Sequence, residues 1–161
     1  MNTLEFCIAR RKAELPAFVR VLKAVPQDRL DYRPHPNSRT APDLAWLLAA
    51  QEAALATLLE TGKVDWKDEP PPARYDTIVE TFERSAAAVD ERLGKLDEAG
   101  WRKKGSFLVN GAPVWEDATE NMVWGFLFDS IHHRGQLSTY LRPMGGKVPS
   151  IYGPSADDSG Q

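Results

Sequence analysis

A carboxylate and an imidazole four residues apart, Asp129 and His133, are the groups in this chain best placed to do chemistry. In a helix that spacing stacks them one turn apart on one side. Met122, Phe126, Leu137 and Tyr140 continue that side, so the pair is expected to face the interior of a helical fold. Burying two such groups without partners is costly. They can answer that cost by hydrogen-bonding each other, the carboxylate orienting the ring. They can also hold a divalent ion, since both donors reach one point off the helix surface. Spacing leaves both outcomes open.

The other reactive residue types point to packing. His132 lies about 100° around the helix from His133 and is expected to face another helix or solvent. His35 falls in a proline-rich loop, where exposure is the default. Cys7, the single cysteine, sits among apolar helix residues and reads as a small core residue. No glycine-rich phosphate loop, nucleophile elbow or paired-cysteine zinc motif is present. The five tryptophans are scattered over helical and hairpin positions, as packing residues are. Gly125 and Gly135 weaken a helix and suit a close approach, across a dimer interface for example, or a tolerated defect.

Four helices are needed to position these residues, and their limits are legible. The first is expected from about Thr3 to Val25, with Leu4, Ile8, Leu15, Phe18, Leu22 and Val25 on one stripe and Asn2 and Glu5 as a capping box. Pro16 predicts a kink or break within it. Residues 26–39 carry three prolines and no period, hence a loop. Thr40, Pro42 and Asp43 open the second helix, and Gly62 stops it. The run Asp68-Glu69-Pro70-Pro71-Pro72 makes a stiff connector. A third helix is read from about Asp76 to Leu96 and a fourth from about Ala118 to Arg142. Between these two, Asn110-Gly111 flanked by Ser106–Val109 and Ala112–Trp115 predicts a hairpin, which Pro113 confines to an exposed edge ribbon. The tail from Val148 to Gln161 is polar and is expected to be partly irregular, with a mobile end.

Length and composition set the frame. A chain of 161 residues with 42% hydrophobic and 27% charged residues suits a single globular domain over 1–161. A net charge of −3 gives no reason to expect nucleic acid or an anionic membrane as partner. The clusters Arg10-Arg11-Lys12 and Arg102-Lys103-Lys104 read as solvated faces. With one cysteine, no signal segment and no apolar run of membrane-spanning length, a cytoplasmic location is expected.

The segment Trp124 to Gly145 (WGFLFDSIHHRGQLSTYLRPMG) and the following Val148 to Ser155 resemble the DinB-like superfamily, with His132 to Gln136 as the most specific piece. Leu30 to Pro36 (LDYRPHP) and Leu44-Ala45-Trp46 are similar to the same family, so the resemblance runs through most of the chain in order. It implies an all-α four-helix bundle, here with a small β-hairpin between the third and fourth helices, and commonly a homodimer. It also implies a divalent metal, zinc or nickel, held by three histidines, one from the second helix and two from the fourth. Some relatives are thiol-dependent transferases or isomerases, in which a metal would activate a small thiol. The name refers to damage-induced expression and implies no binding of DNA. Carried over residue by residue, His133 matches the last histidine, and Asp129 stands in place of the first of its pair. Leu47, which cannot ligate, takes the place of the second-helix histidine, with Gln51 one turn further as a weak substitute. The resulting expectation is a pocket lined by Leu47, Gln51, Phe126, Asp129, His133 and Tyr140 that binds a small molecule or serves a dimeric interaction module, its catalytic residues unassigned. The alternative is a metal-dependent hydrolase or thiol transferase with Asp129 and His133 as ligands and Arg134 or Gln136 facing an anionic substrate.

Overall fold

Local signals at the chain ends of the helices act as the sequence suggests. The computed structural model describes residues 2–160, and Asn2 Oδ1 accepts from the Glu5 N–H at 2.8 Å while Glu5 Oε2 accepts from the Asn2 N–H at 3.1 Å. This box opens α1 (Thr3–Lys23). Thr40 and Asp43 form the same reciprocal pair at the start of α2 (Ala41–Thr61). Gly62 ends α2 in the left-handed region at φ +76° and feeds the chain directly into strand β1 (Lys63–Trp66). Then follow α3 (Tyr75–Lys95), a single-turn α4 (Glu98–Arg102), β2 (Lys104–Val109), β3 (Ala112–Ala118) and α5 (Thr119–Tyr140).

The chain is mainly helical, as expected, but a four-helix bundle with a hairpin is too simple a description. Five helices and a three-stranded sheet are found among the described residues. The four long helices pack in a ring, α1 and α2 each against both α3 and α5. The hairpin turns at Asn110 and Gly111, both at positive φ as a type I′ turn requires. It is no isolated ribbon, because β1 pairs parallel to β2 and makes β2 the central strand. Four residues wedged between a helix stop and a proline run carry too little alternation to announce a strand. Pro113 does lie on the edge strand, beside a bulge after Phe107. Trp101 of α4 is fully buried and donates its indole N–H to Thr3 Oγ1 at 3.0 Å.

Pro16 neither breaks nor ends α1, which runs unbroken over 21 residues. The carbonyl of Lys12 that proline leaves unbonded lies on an exposed side, while the neighbouring Glu14, Ala17 and Phe18 are buried and hold the helix in place. The tail is irregular, as expected, and hydrogen bonds tie it to the body. Asp157 accepts from the Arg142 guanidinium at 2.8 Å and the Val148 N–H at 3.0 Å, and Asp158 accepts from the Ser150 N–H at 2.7 Å. Its last residue, Gln161, lies outside the described residues.

Two apolar clusters form the core, one around Phe18, Leu44, Leu48, Ile78, Phe82 and Leu137, the other around Cys7, Leu55, Val89, Leu93, Trp101 and Met122. Between them, by position along each helix, runs a polar layer. Arg11, expected on a solvated face, is 1% exposed, makes two hydrogen bonds to Glu52 at 3.3 and 2.8 Å, and has Asp90 3.6 Å from its Nε. Arg134, 2% exposed, donates to Glu14 Oε2 at 2.7 Å and to the Tyr152 hydroxyl at 2.6 Å, and that hydroxyl donates to Glu14 at 2.9 Å. The rings of Phe18 and Tyr152 lie 4.5 and 5.1 Å from the Arg134 guanidinium carbon. A buried guanidinium is tolerable only with a carboxylate of this kind beside it. In its place on α1, burial pushes the Glu14 carboxyl up, but hydrogen bonds from Arg134 and Tyr152 and the Arg134 charge outweigh this and hold it below its usual value of 4.5.

Because that pKa is depressed by folding, Glu14 contributes stability that is present at neutral pH and lost as pH falls through its folded value. Glu14→Gln is expected to cost about 3 kcal/mol at neutral pH in urea unfolding, with the gap to the parent protein closing under acid. Tyr152→Phe should cost about 1 kcal/mol, since only a bridging hydroxyl is removed. A Glu14→Gln loss that persists unchanged in acid would contradict this account.

Candidate functional site

The rotation of α5 about its axis decides what each polar residue does. Ser130 and Arg134 point into the helix ring, 2% exposed each. Asp129 and His133, one position earlier, are therefore carried to the flank that faces α2 and the sheet. The expectation that both face the interior is corrected accordingly: the Asp129 side chain is 53% exposed and that of His133 19%. Both nevertheless line one cavity of about 410 Å³.

That cavity brings together most of the expected residues. Leu47 and Gln51 come from α2, and Phe126, Asp129 and His133 come from α5. Tyr140 does not join them. Its hydroxyl donates to the Arg39 carbonyl at 3.1 Å, and its ring packs edge-on to Tyr32 at 5.7 Å. It lines an adjoining hollow that it shares with His133 and Gln136. Arg134, locked between Glu14 and Tyr152, does not line the cavity, and Gln136 Oε1 is taken up by His133 Nδ1 at 2.7 Å. His132 is exposed, with its ring 5.1 Å from that of His133, and His35 is exposed in the loop. Cys7 is fully buried, and that burial pushes its thiol up to about 11, which leaves it inert as a nucleophile.

At the polar end of the cavity the groups form a chain. Gln51 donates its amide N–H to Asp129 Oδ2, and its carbonyl oxygen accepts from the Ser130 hydroxyl at 2.9 Å. The same Oδ2 lies 3.3 Å from His133 Nε2. Two donors in a tetrahedron around zinc are separated by roughly 3.3 Å, so this distance alone suits a shared ion as well as a direct contact. The neighbours separate the two. Gln51 presents N–H groups to Asp129, and an amide nitrogen has no lone pair to give a metal. Leu47 fills the position one turn earlier with an aliphatic side chain. No cluster of three His, Cys, Asp or Glu that could hold an ion occurs among the described residues. The donor set present does not fit a three-ligand metal centre.

The apolar end was not foreseen. Trp66 from β1, Phe107 from β2 and Trp115 from β3 join Phe126 in an aromatic wall. Phe107 and Trp115 are cross-strand partners. Ring centroids lie 6.1 Å apart for Trp66 and Phe107, 5.8 Å for Phe107 and Phe126, and 6.4 Å for Trp115 and Phe126. Gly125 makes this wall possible, since a Cβ there would come within 2.6 Å of the Trp115 indole. No such contact explains Gly135, where an added Cβ meets nothing. The hint available in the sequence was aromatic residues on both arms of the Asn110-Gly111 hairpin, but a hairpin read as solvent-exposed gave them nothing to face.

Comparison with known proteins accords with this picture. In fold, the chain is similar to a DinB-like protein from Bacillus cereus ATCC 10987, with 20% identity, a TM-score of 0.76 and coverage of 92% of this chain and 97% of that one. A DinB-like protein from Bacillus subtilis gives 15% identity and a TM-score of 0.70, covering 94% and 98%. A mycothiol-dependent maleylpyruvate isomerase matches at 14% identity and a TM-score of 0.55, over 91% of this chain but only 62% of its own length. No curated protein matches. No described helix is long and apolar enough to cross a membrane. The model of the DinB family matches residues 12–161, beginning within α1 and taking in the cavity and the tail, and the chain belongs to that family.

Proposed function

We propose that this chain is a small-molecule-binding member of its family whose metal centre is reduced to a hydrogen-bonded polar remnant. The observation that carries the reading is the Gln51–Asp129 hydrogen bond, with His133 Nε2 3.3 Å from the same carboxylate oxygen, at the edge of a cavity of ligand size walled by aromatic rings. Where relatives are expected to supply a second-helix histidine, Leu47 adds apolar surface. A second reading, a metal-dependent hydrolase or low-molecular-weight-thiol transferase with Asp129 and His133 as ligands, draws support from the fold shared with the mycothiol-dependent isomerase. It requires a further donor from outside the chain.

The proposal extends to assembly and location. Phe6, Trp124 and Phe128 form an aromatic ladder, with ring centroids at 5.9 and 5.6 Å, that leaves Phe6 49% and Phe128 63% exposed. An apolar strip of this kind on α1 and α5 suits a self-complementary contact in a homodimer. A cytoplasmic protein without nucleic-acid or membrane partners fits the acidic balance and the lone buried thiol.

Two measurements check these points. Elemental analysis of protein purified without an affinity tag should find zinc and nickel well below one per chain, even after soaking. Leu47→His should then raise metal affinity by at least the roughly tenfold that a ligand's indirect partner is worth. Stoichiometric metal in the parent protein that His133→Ala removes would instead establish the second reading. In light scattering the parent chain should have the mass of a dimer and Phe128→Asp that of a monomer; a monomeric parent chain refutes the assembly.

A further inference from the structure

Arg39 lies where three hollows meet. It lines the aromatic cavity with Leu47 and Trp66, the groove under the proline-rich connector, and the hollow that holds His133 and Tyr140. Its main chain is fixed: the carbonyl accepts from the Tyr140 hydroxyl, and the next residue is the Thr40 cap of α2. Its guanidinium, by contrast, has no hydrogen-bond or ion-pair partner among the described residues. Four carboxylates share a hollow with it: Asp43 is engaged with Thr40, Asp129 accepts from Gln51 and lies against His133, and Asp68 and Glu69, in the groove under the connector, make no ion pair with it. The Trp66 indole N–H also has no partner among the described residues. Both uncommitted groups are donors, and one carries a full positive charge.

We infer that the cavity takes an aromatic carboxylate, with its ring system against Trp66, Phe107, Trp115 and Phe126 and its carboxylate on Arg39. The inference rests on the small-molecule reading above and adds the ligand's chemical class. Four ring faces favour a flat apolar body over a flexible polar one. An arginine with an anchored main chain and an unused planar fork favours a carboxylate over a neutral acceptor, because two parallel charge-assisted hydrogen bonds can form. Asp129, which lines the same cavity, repels a second negative charge, so a monoanion fits better than a dianion.

The test uses two probes of one shape, 2-naphthylacetate and its neutral amide, titrated calorimetrically into the full-length protein. The parent chain should bind both and prefer the acid by roughly tenfold, as one charge-assisted hydrogen-bonded contact allows. Arg39→Gln, a change at an exposed side chain, should abolish that preference while leaving the amide's affinity unchanged. Leu47→Trp, which fills the cavity, should weaken both. An acid that binds no better than the amide, or a preference that survives Arg39→Gln, overturns the carboxylate assignment while leaving the binding reading intact. Failure of both probes to bind the parent chain, or binding of both that Leu47→Trp leaves unchanged, overturns the two together.

Discussion

Arg134 cannot be buried without Glu14, and that requirement sets the angle at which α5 sits. A guanidinium 2% exposed needs a carboxylate close by, and Glu14 supplies it only with one particular face of α5 turned against α1. Once that face is fixed, the remaining residues have no choice of direction. Ser130 points inward with Arg134, while Asp129 and His133 turn to the side where α2 and the sheet approach. The location of the cavity follows from an ion pair that takes no part in it. Arg11 and Glu52 play the same role for α1 and α2. The polar layer therefore orients the helices, and the apolar clusters above and below it supply the burial that holds them together.

Much of this architecture was legible in the residues. Caps at Asn2 and Thr40, the stop at Gly62 and the turn at Asn110-Gly111 each rest on local chemistry that tertiary contacts did not override. What the local sequence does not reveal depends on partners distant along the chain. Four residues after Gly62 become a strand only because β2 is there to pair with them. Arg11 looks solvent-seeking beside Arg10 and Lys12, and its burial follows from Glu52, 41 residues away. Pro16 looks disruptive until the Lys12 carbonyl it leaves unbonded is seen to fall on the wet side of α1.

The candidate site divides in the same way. Leu47, Gln51, Phe126, Asp129 and His133 share one cavity, as helical spacing and family resemblance together suggested. Spacing by itself put the carboxylate and imidazole on a stripe ending in Tyr140, yet a stripe on one helix can be shared between neighbouring hollows, and here it is. The aromatic wall and Arg39 come from segments read as exposed loop and ribbon. Their role depends on how the sheet closes over α2 and α5, which no local pattern encodes.

The junction at Gly62 has a consequence for how this protein can vary. With the helix ending in one left-handed residue and the strand starting at the next, no slack separates them. Side chains along a strand alternate between faces, and here Val64 is buried while its neighbours Lys63 and Asp65 are exposed. One residue added or removed at this joint would exchange the two faces, sending Trp66 outward and an acid or a lysine toward the rings. Length at this point is as much a determinant of the cavity as any side chain in it, whereas the proline-rich connector just beyond can lengthen without turning the strand over.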